Sequence, residues 1–285
     1  MRRAVGHGEL FPAWGRIPPQ EAPGGTTETT PKGNPLRRLQ QEHRWFQHVH
    51  HIVPTPNLGA PITLLHLTDI HLRTCNDWLD QLCENIRHLH PDAVVITGDV
   101  VTKGWKRAAV DQFLQAIPDA PLGKFAVMGN WEHWAGAPVE RWEPILVSHG
   151  IELLTDEWRD LGDFVLCGTQ DKLTGQPDIL RSLEGRPANK PTVVLTHSPS
   201  IFPELYPHNI DLVLAGHSHG GQVRLPKLGA VWTPNGTDRF VAGWYHEQGT
   251  HMFVSRGIGW SIAPVRMWCT PEIAHIQMNP LTGQS

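Results

Sequence analysis

The sequence predicts a mixed α/β domain with two sheets packed face to face. Three observations lead there. From residue 62 onward, strand-like apolar runs alternate with helix-period segments roughly every 30 residues, the pattern of βαβ units. After residue 151 the strand-like runs crowd together with hairpin-like turns between them, which calls for a second sheet. The chain has 285 residues, 40% of them hydrophobic and 18% charged, enough for one large globular domain with a tail.

In chain order, residues 1–34 are rich in Pro, Gly and Thr, show no sustained period, and read as a flexible tail. No apolar segment follows Arg2-Arg3, so a twin-arginine export signal is set aside. Over 35–53, Leu36, Leu39, His43, Phe46 and Val49 recur at helical spacing, with Arg37, Arg38 and Arg44 elsewhere on the turn. This predicts an amphipathic helix with a linker to residue 60, either docked on the domain or lying on a membrane surface. His48, His50 and His51 are read as ordinary polar residues.

The main domain is expected over 61–280. Residues 62–68 form a strand-like run. Residues 76–89 carry a helical stripe of Trp78, Leu79, Leu82, Cys83, Ile86 and Leu89. A strand over 92–97, a helix over 106–117, a strand over 124–128 and a helix over 138–149 with Pro at its first turn follow. Further strands are expected at 163–168, 191–196, 210–215, 222–225, 251–255, 264–268 and 272–278.

Composition excludes some functions. A net charge of -4 gives no basic footprint, so no nucleic-acid partner is expected. No stretch approaches the roughly 20 apolar residues that span a bilayer. Cys75, Cys83, Cys167 and Cys269 form no Cys-x-x-Cys pair and read as reduced thiols of a cytoplasmic protein.

The chemistry lies where the strands end. The first is followed by Asp69-Ile70-His71, the second by Gly98-Asp99, the third by Gly129-Asn130, the next by His197, and the next by Gly216-His217-Ser218-His219. An Asp after a strand is usually a turn former. Five consecutive strand ends carrying a carboxylate, carboxamide or imidazole are another matter, because those ends line the edge of an open α/β sheet where ligands bind. Residues i and i+2 of an extended segment point the same way, so His217 and His219 can converge on one object. Two Asp, one Asn and four His make a nitrogen and oxygen donor set without thiolate, suited to Mn, Fe, Zn or Ni. Seven ligands exceed one tetrahedral ion and suit two divalent ions sharing a bridging carboxylate.

These motifs, Asp69-x-His71, Gly98-Asp99, Gly129-Asn130, His197 and Gly216-His217-x-His219, resemble those of calcineurin-like metallophosphoesterases over about residues 62–278. The run Gly220-Gly221-Gln222-Val223-Arg224-Leu225-Pro226 adds detail, as do Val254-Ser255-Arg256-Gly257, Pro264-Val265-Arg266 and Pro271-Glu272-Ile273. Together they resemble a bacterial branch with membrane-associated phosphodiesterases and a UDP-diacylglucosamine pyrophosphatase. The resemblance implies a four-layer α/β/β/α sandwich of two mixed sheets. It implies one metal held by Asp69, His71 and His219, a second by Asn130, His197 and His217, and Asp99 as the bridge. It also implies in-line attack on phosphorus by a hydroxide between the ions.

One departure matters. The family reads Gly-Asn-His-Asp/Glu at the third motif, and this chain reads Gly129-Asn130-Trp131-Glu132-His133. The histidine that contacts phosphate and protonates the leaving group in the family is Trp131, whose indole only donates a hydrogen bond. General acid help, typically worth 10²–10⁴-fold, is lost. Three readings follow: His133 substitutes as the acid, the substrate has a good leaving group such as a phosphate of a pyrophosphate, or the site is weak or inactive. The second is favoured.

Trp105, Trp131, Trp134, Trp244 and Trp260 are divided between core packing and an apolar rim for a lipid-like substrate. Trp131 and Arg224 are the expected substrate contacts, and Arg256 is set between phosphate and a salt bridge. His66 is expected in the core or behind the site, and Asp171 either near the site or capping a turn. The function expected is hydrolysis of a phosphodiester or pyrophosphate in a nucleotide- or lipid-linked, phosphate-containing substrate. The alternatives are a broad phosphodiesterase on cyclic or aryl diesters, and a non-catalytic scaffold for a protein partner. No obligate protein partner is inferred, and the expected location is cytoplasmic, either free or peripheral to the inner membrane.

Overall fold

Strands buried on both faces decide the architecture. A computed structural model describes residues 26–27 and 44–281. Its elements begin with strands β1 (Thr26–Thr27), β2 (Gln47–Thr55) and β3 (Ile62–Leu67), helix α1 (Asp77–Ile86), β4 (Ala93–Thr97), α2 (Arg107–Ala116) and β5 (Lys124–Val127). Helices α3 (Asn130–Trp134) and α4 (Val139–Val147) precede β6 (Glu152–Leu153), β7 (Glu157–Asp160) and β8 (Val165–Gly168). Then come α5 (Ile179–Leu183), β9 (Thr192–Leu195), α6 (Phe202–Leu205), β10 (Leu212–Ala215), β11 (Arg224–Leu225) and β12 (Gly229–Ala230). The last are β13 (Gly243–Glu247), β14 (Thr250–Val254) and β15 (Glu272–Pro280).

One sheet has the order β1-β2-β15-β3-β4-β5-β6 and the other β13-β14-β10-β9-β8-β7. Both are mixed. β3 to β6 run parallel and β15 antiparallel to β3, while β8, β9, β10 and β14 run parallel between antiparallel edges. Alternation along each strand sends neighbours to different layers. Leu64 and Val95 face the second sheet, where they meet Leu195, Leu214 and Phe253. Leu65, Val94 and Ile96 face α1, α2 and α4 and pack on Leu82, Phe113 and Trp142. On the far side Val194 and Val213 pack on Phe202 and Leu205. The four-layer α/β/β/α sandwich is therefore observed. The helical stripe of α1 faces the core as expected, and Asn76 Oδ1 caps the helix by accepting from Leu79 N at 3.0 Å.

Two expectations are corrected. The helix expected over 35–53 does not extend through its C-terminal half: Gln47–Thr55 is a strand, and residues 28–43 lie outside the described set. Its buried residues, Gln47, Val49, His51, Val53 and Thr55, have period two, and its parallel partner β15 comes from the other end of the chain, with His275 opposite His50. The sheet therefore takes in residues that the expected 35–60 linker had placed outside the domain. Likewise 264–268 forms no strand; a single bridge joins Val223 and Met267. The tail expected over 1–34 lies outside the described residues except for Thr26–Thr27, which pair with His50 and His51. All four cysteines are thiols, Cys75 exposed and Cys83, Cys167 and Cys269 buried. Among the described residues no helix is long and apolar enough to cross a membrane.

Candidate metal centre

The C-terminal ends of β3, β4 and β5 in one sheet meet those of β9 and β10 in the other, and the loops leaving them carry all seven expected ligands. Asp69, His71 and His219 form one buried group, and Asp99, His197 and His217 a second. Each group offers ligand atoms that all lie within 4.8 Å of one another. Asp99 Oδ2 lies 3.2 Å from His197 Nε2 and 3.7 Å from His71 Nε2, so it spans both groups. Asn130 Oδ1 joins the second, 3.2 Å from His197 Nε2.

The backbone is bent to make this convergence. Asp69, His71, Asp99, His217 and His219 all have φ between 51° and 70°, the left-handed region that costs a non-glycine residue about 1–3 kcal/mol. Close approach needs glycine: a Cβ on Gly216 would overlap Thr68 Oγ1 and Asp69 Oδ2, and one on Gly129 would overlap Asp99 Oδ1.

Hydrogen bonds fix which ring nitrogen faces inward. His197 Nδ1 donates to the Thr97 carbonyl at 2.7 Å, leaving Nε2 for the centre. His217 Nε2 donates to the Asn235 carbonyl at 2.6 Å, leaving Nδ1. His217 N also donates to both Asp69 carboxylate oxygens, at 2.9 and 3.1 Å. Nitrogen then faces nitrogen, His71 Nε2 against His219 Nε2 at 2.8 Å and His217 Nδ1 against His197 Nε2 at 3.2 Å. Buried imidazoles aimed at one another across a carboxylate fit divalent cations, and the absence of thiolate fits ions that accept mixed nitrogen and oxygen ligands.

The electrostatics agree. Burial holds His71 and His217 down at about 4, and burial with His71 and Arg266 nearby holds His219 well below its usual value, so all three rest neutral, as ligands must. Burial also pulls His197 down, but the Asp99 carboxylate outweighs it and raises that imidazole well above the ordinary value. Asp69 is pushed up to about 7 by burial, although His197 opposes the shift. A site that holds the Asp69 carboxylate this reluctantly without compensating charge is suited to cations.

Glu132 has a role that the sequence reading did not assign. Buried in α3, it accepts from Asp99 N and Gly129 N through Oε2 at 3.0 and 2.8 Å. Through Oε1 it accepts from Val100 N and Val101 N at 2.7 and 3.3 Å. It thereby ties the Asp99 loop to the Asn130 helix. The signal was present in the Gly-Asn-x-Asp/Glu pattern but carried no role until its partners were visible. Arg266, fully buried, is the second such residue; it donates to the carbonyls of Gly259, Arg256 and Cys269 and lies 3.4 Å from His219 Nδ1.

Other expected residues separate. Trp131 sets its ring edge-on to His71 with centroids 5.7 Å apart, and its backbone N–H donates to Asp99 Oδ1 at 2.8 Å. His133 follows two residues later on the same short helix, so it points away from Trp131, and it does not line the cavity over the metal ligands. Arg224 donates to the Gly220 carbonyl at 3.0 Å and is likewise not among the cavity's lining residues. Arg256 pairs with buried Glu272 at 2.6 Å. Asp171 accepts from Ser198 Oγ and from the backbone of Leu173 and Thr174, which shapes its own loop. His66 contacts Thr97 Oγ1 at 2.8 Å inside the core. Of the tryptophans, Trp244 is buried between the sheets, Trp105 donates to the Ala135 carbonyl, and Trp260 packs on Trp78. Trp131 and Trp134 line the cavity, together with Trp232, which the sequence reading had passed over. That cavity has a volume of about 390 Å³.

A family model described as calcineurin-like phosphoesterase matches residues 62–221. The chain is similar to an uncharacterized metallophosphoesterase of Helicobacter pylori, 31% identical over 241 residues, covering 78% of this chain and 61% of that protein. It therefore spans less than two thirds of the length of that relative. It is 29% identical over 252 residues to phosphodiesterase YaeI of Escherichia coli, covering 83% of this chain and 90% of the other. It is 27% identical over 221 residues to uncharacterized metallophosphoesterase YkuE of Bacillus subtilis, covering 74% and 76%.

Proposed function

The chain belongs to the calcineurin-like phosphoesterase family, and on that premise we propose that it is a metal-dependent phosphoesterase. Its reaction is hydrolysis of a phosphodiester or pyrophosphate bond in a nucleotide- or lipid-linked substrate. The observation that carries this reading is the convergence of Asp69, His71, Asp99, His197, His217 and His219 in two buried groups at one edge of both sheets. Two divalent ions there would supply Lewis acidity toward phosphoryl oxygens and a deprotonated water near neutral pH. Asp69, His71 and His219 would hold one, Asn130, His197 and His217 the other, and Asp99 would serve both.

The protein's own groups do the rest. Thr97 and Asn235 carbonyls fix the tautomers of His197 and His217. Glu132 fixes the loop of Asp99 through Asp99 N, Val100 N and Val101 N. Trp131 walls the cavity and excludes water beside His71. It moves no proton, and His133 does not take its place, since it lies outside the cavity lining. The leaving group must therefore depart unprotonated, which favours phosphate of a pyrophosphate or an acidic alcohol.

The test is a series of aryl phosphodiesters graded by leaving-group pKa, assayed with Mn²⁺. The proposal expects turnover that falls steeply as leaving-group pKa rises. A flat dependence would refute the missing-acid part. The absence of turnover for any member, with metal bound, would refute the phosphoesterase reading.

A further inference from the structure

A second cavity of about 330 Å³ opens beside the first and shares His219, Trp232, Pro234, Ser261 and Ile262 with it. We infer that this groove holds the apolar chain of an amphiphilic phosphate ester whose phosphate sits at the metal centre. The inference deepens the proposed function and rests on it for the position of the phosphate.

The lining is apolar and its lips face solvent. Val231, Trp232 and Ile262 are 62%, 58% and 73% exposed although they are large and hydrophobic. Leu228, at the turn between β11 and β12 just ahead of Val231, is 71% exposed. Single exposed apolar residues are ordinary, but a contiguous set around a groove that opens onto a candidate active site marks a ligand surface.

The side chains of Gln222 and Ser218 in the groove are already engaged. Gln222 accepts from Ser261 N at 2.7 Å and donates to the Ala263 and Val265 carbonyls, and Ser218 Oγ donates to the Val241 carbonyl at 2.5 Å. A nucleobase edge would find little here to pair with, whereas a hydrocarbon chain asks for nothing but burial. Continuity fixes the order of parts: His219 is both a metal ligand of the first group and a wall of the groove, so a chain leaving a phosphate at that ligand enters it directly.

The experiment is calorimetric binding of n-alkyl phosphates of graded chain length, each below its critical micelle concentration, to the full chain loaded with Mn²⁺. Each methylene that enters the groove should tighten binding about fourfold, the equivalent of about 0.8 kcal/mol. The gain should be lost in Trp232→Ser and in Ile262→Ser, both read as the ratio of long-chain to short-chain affinity within one variant. Equal affinity for short and long chains overturns the inference and leaves the groove to a protein partner or to residues of this chain outside the described set. A chain-length gain that survives both substitutions overturns it as well. Binding needs no turnover, so chain-length dependence without hydrolysis would sink the enzymatic reading alone, and hydrolysis without chain-length dependence would sink this one alone.

Discussion

Replacing Glu132 with Gln tests how the centre is assembled. Glu132 accepts four backbone N–H groups, two on each oxygen. Burial and the Asp99 charge push its carboxyl up to about 7, while the four donors favour the ionised form. In the Glu132→Gln protein either amide orientation turns an N–H toward two of the four donors. Two buried N–H groups lose their acceptor, at about 1–3 kcal/mol each. Relief of the buried charge, and of its repulsion with Asp99, returns part of that. We expect a net loss of about 2–4 kcal/mol at pH 8, read from urea unfolding with chelator present so that metal linkage does not enter. The Asp99 loop should loosen with it, lowering metal affinity. A change within about 0.5 kcal/mol, with unaltered metal affinity, would refute the claim that Glu132 positions the bridge.

Trp131→His should restore a proton donor and raise turnover of diesters with poor leaving groups by about 10²–10⁴-fold, with little change for aryl diesters; equal changes for both would count against it. Acid should destabilise the fold through neutral buried histidines. Burial holds His51 and His66 at about 4, below the ordinary 6.5, so the unfolded chain binds more protons between those values. Stability contributed by this pair is full above about pH 6.5 and is lost as pH falls toward 4, by up to about 3 kcal/mol per group; a pH dependence of unfolding free energy over that window that is the same in metal-free His66→Gln as in the metal-free parent would contradict it. Metal should stabilise by mass action, about 2.7 kcal/mol per site at a hundredfold excess over Kd. Chelation should therefore lower the melting temperature, and Asp69→Ala should shrink that difference.

The strand ends were legible because each ligand follows an apolar run directly and the loop between is short. Asp99 comes two residues after Thr97 closes β4, and His217 two after Ala215 closes β10. Local pattern failed where distant chain decides. The helical spacing of Leu36 to Val49 suggested a helix, but β15 offers Gln47–Thr55 a nine-residue parallel partner that residue spacing cannot reveal. Glu132 resembles any exposed helical glutamate until the loops at Gly98 and Gly129 fold over it. Arg266 resembles a surface cation, yet carbonyls of three separate residues enclose it. Trp232 escaped notice because the loop that presents it has no period, and only the closed fold sets it in one cavity with Trp134 and Ile262.

The most direct measurement is hydrolysis of bis-p-nitrophenyl phosphate by the metal-free chain, titrated with Mn²⁺, beside an Asp99→Ala variant prepared the same way. The account predicts turnover that appears with metal and is absent from the variant. Equal turnover in both proteins, or turnover indifferent to metal, would contradict it.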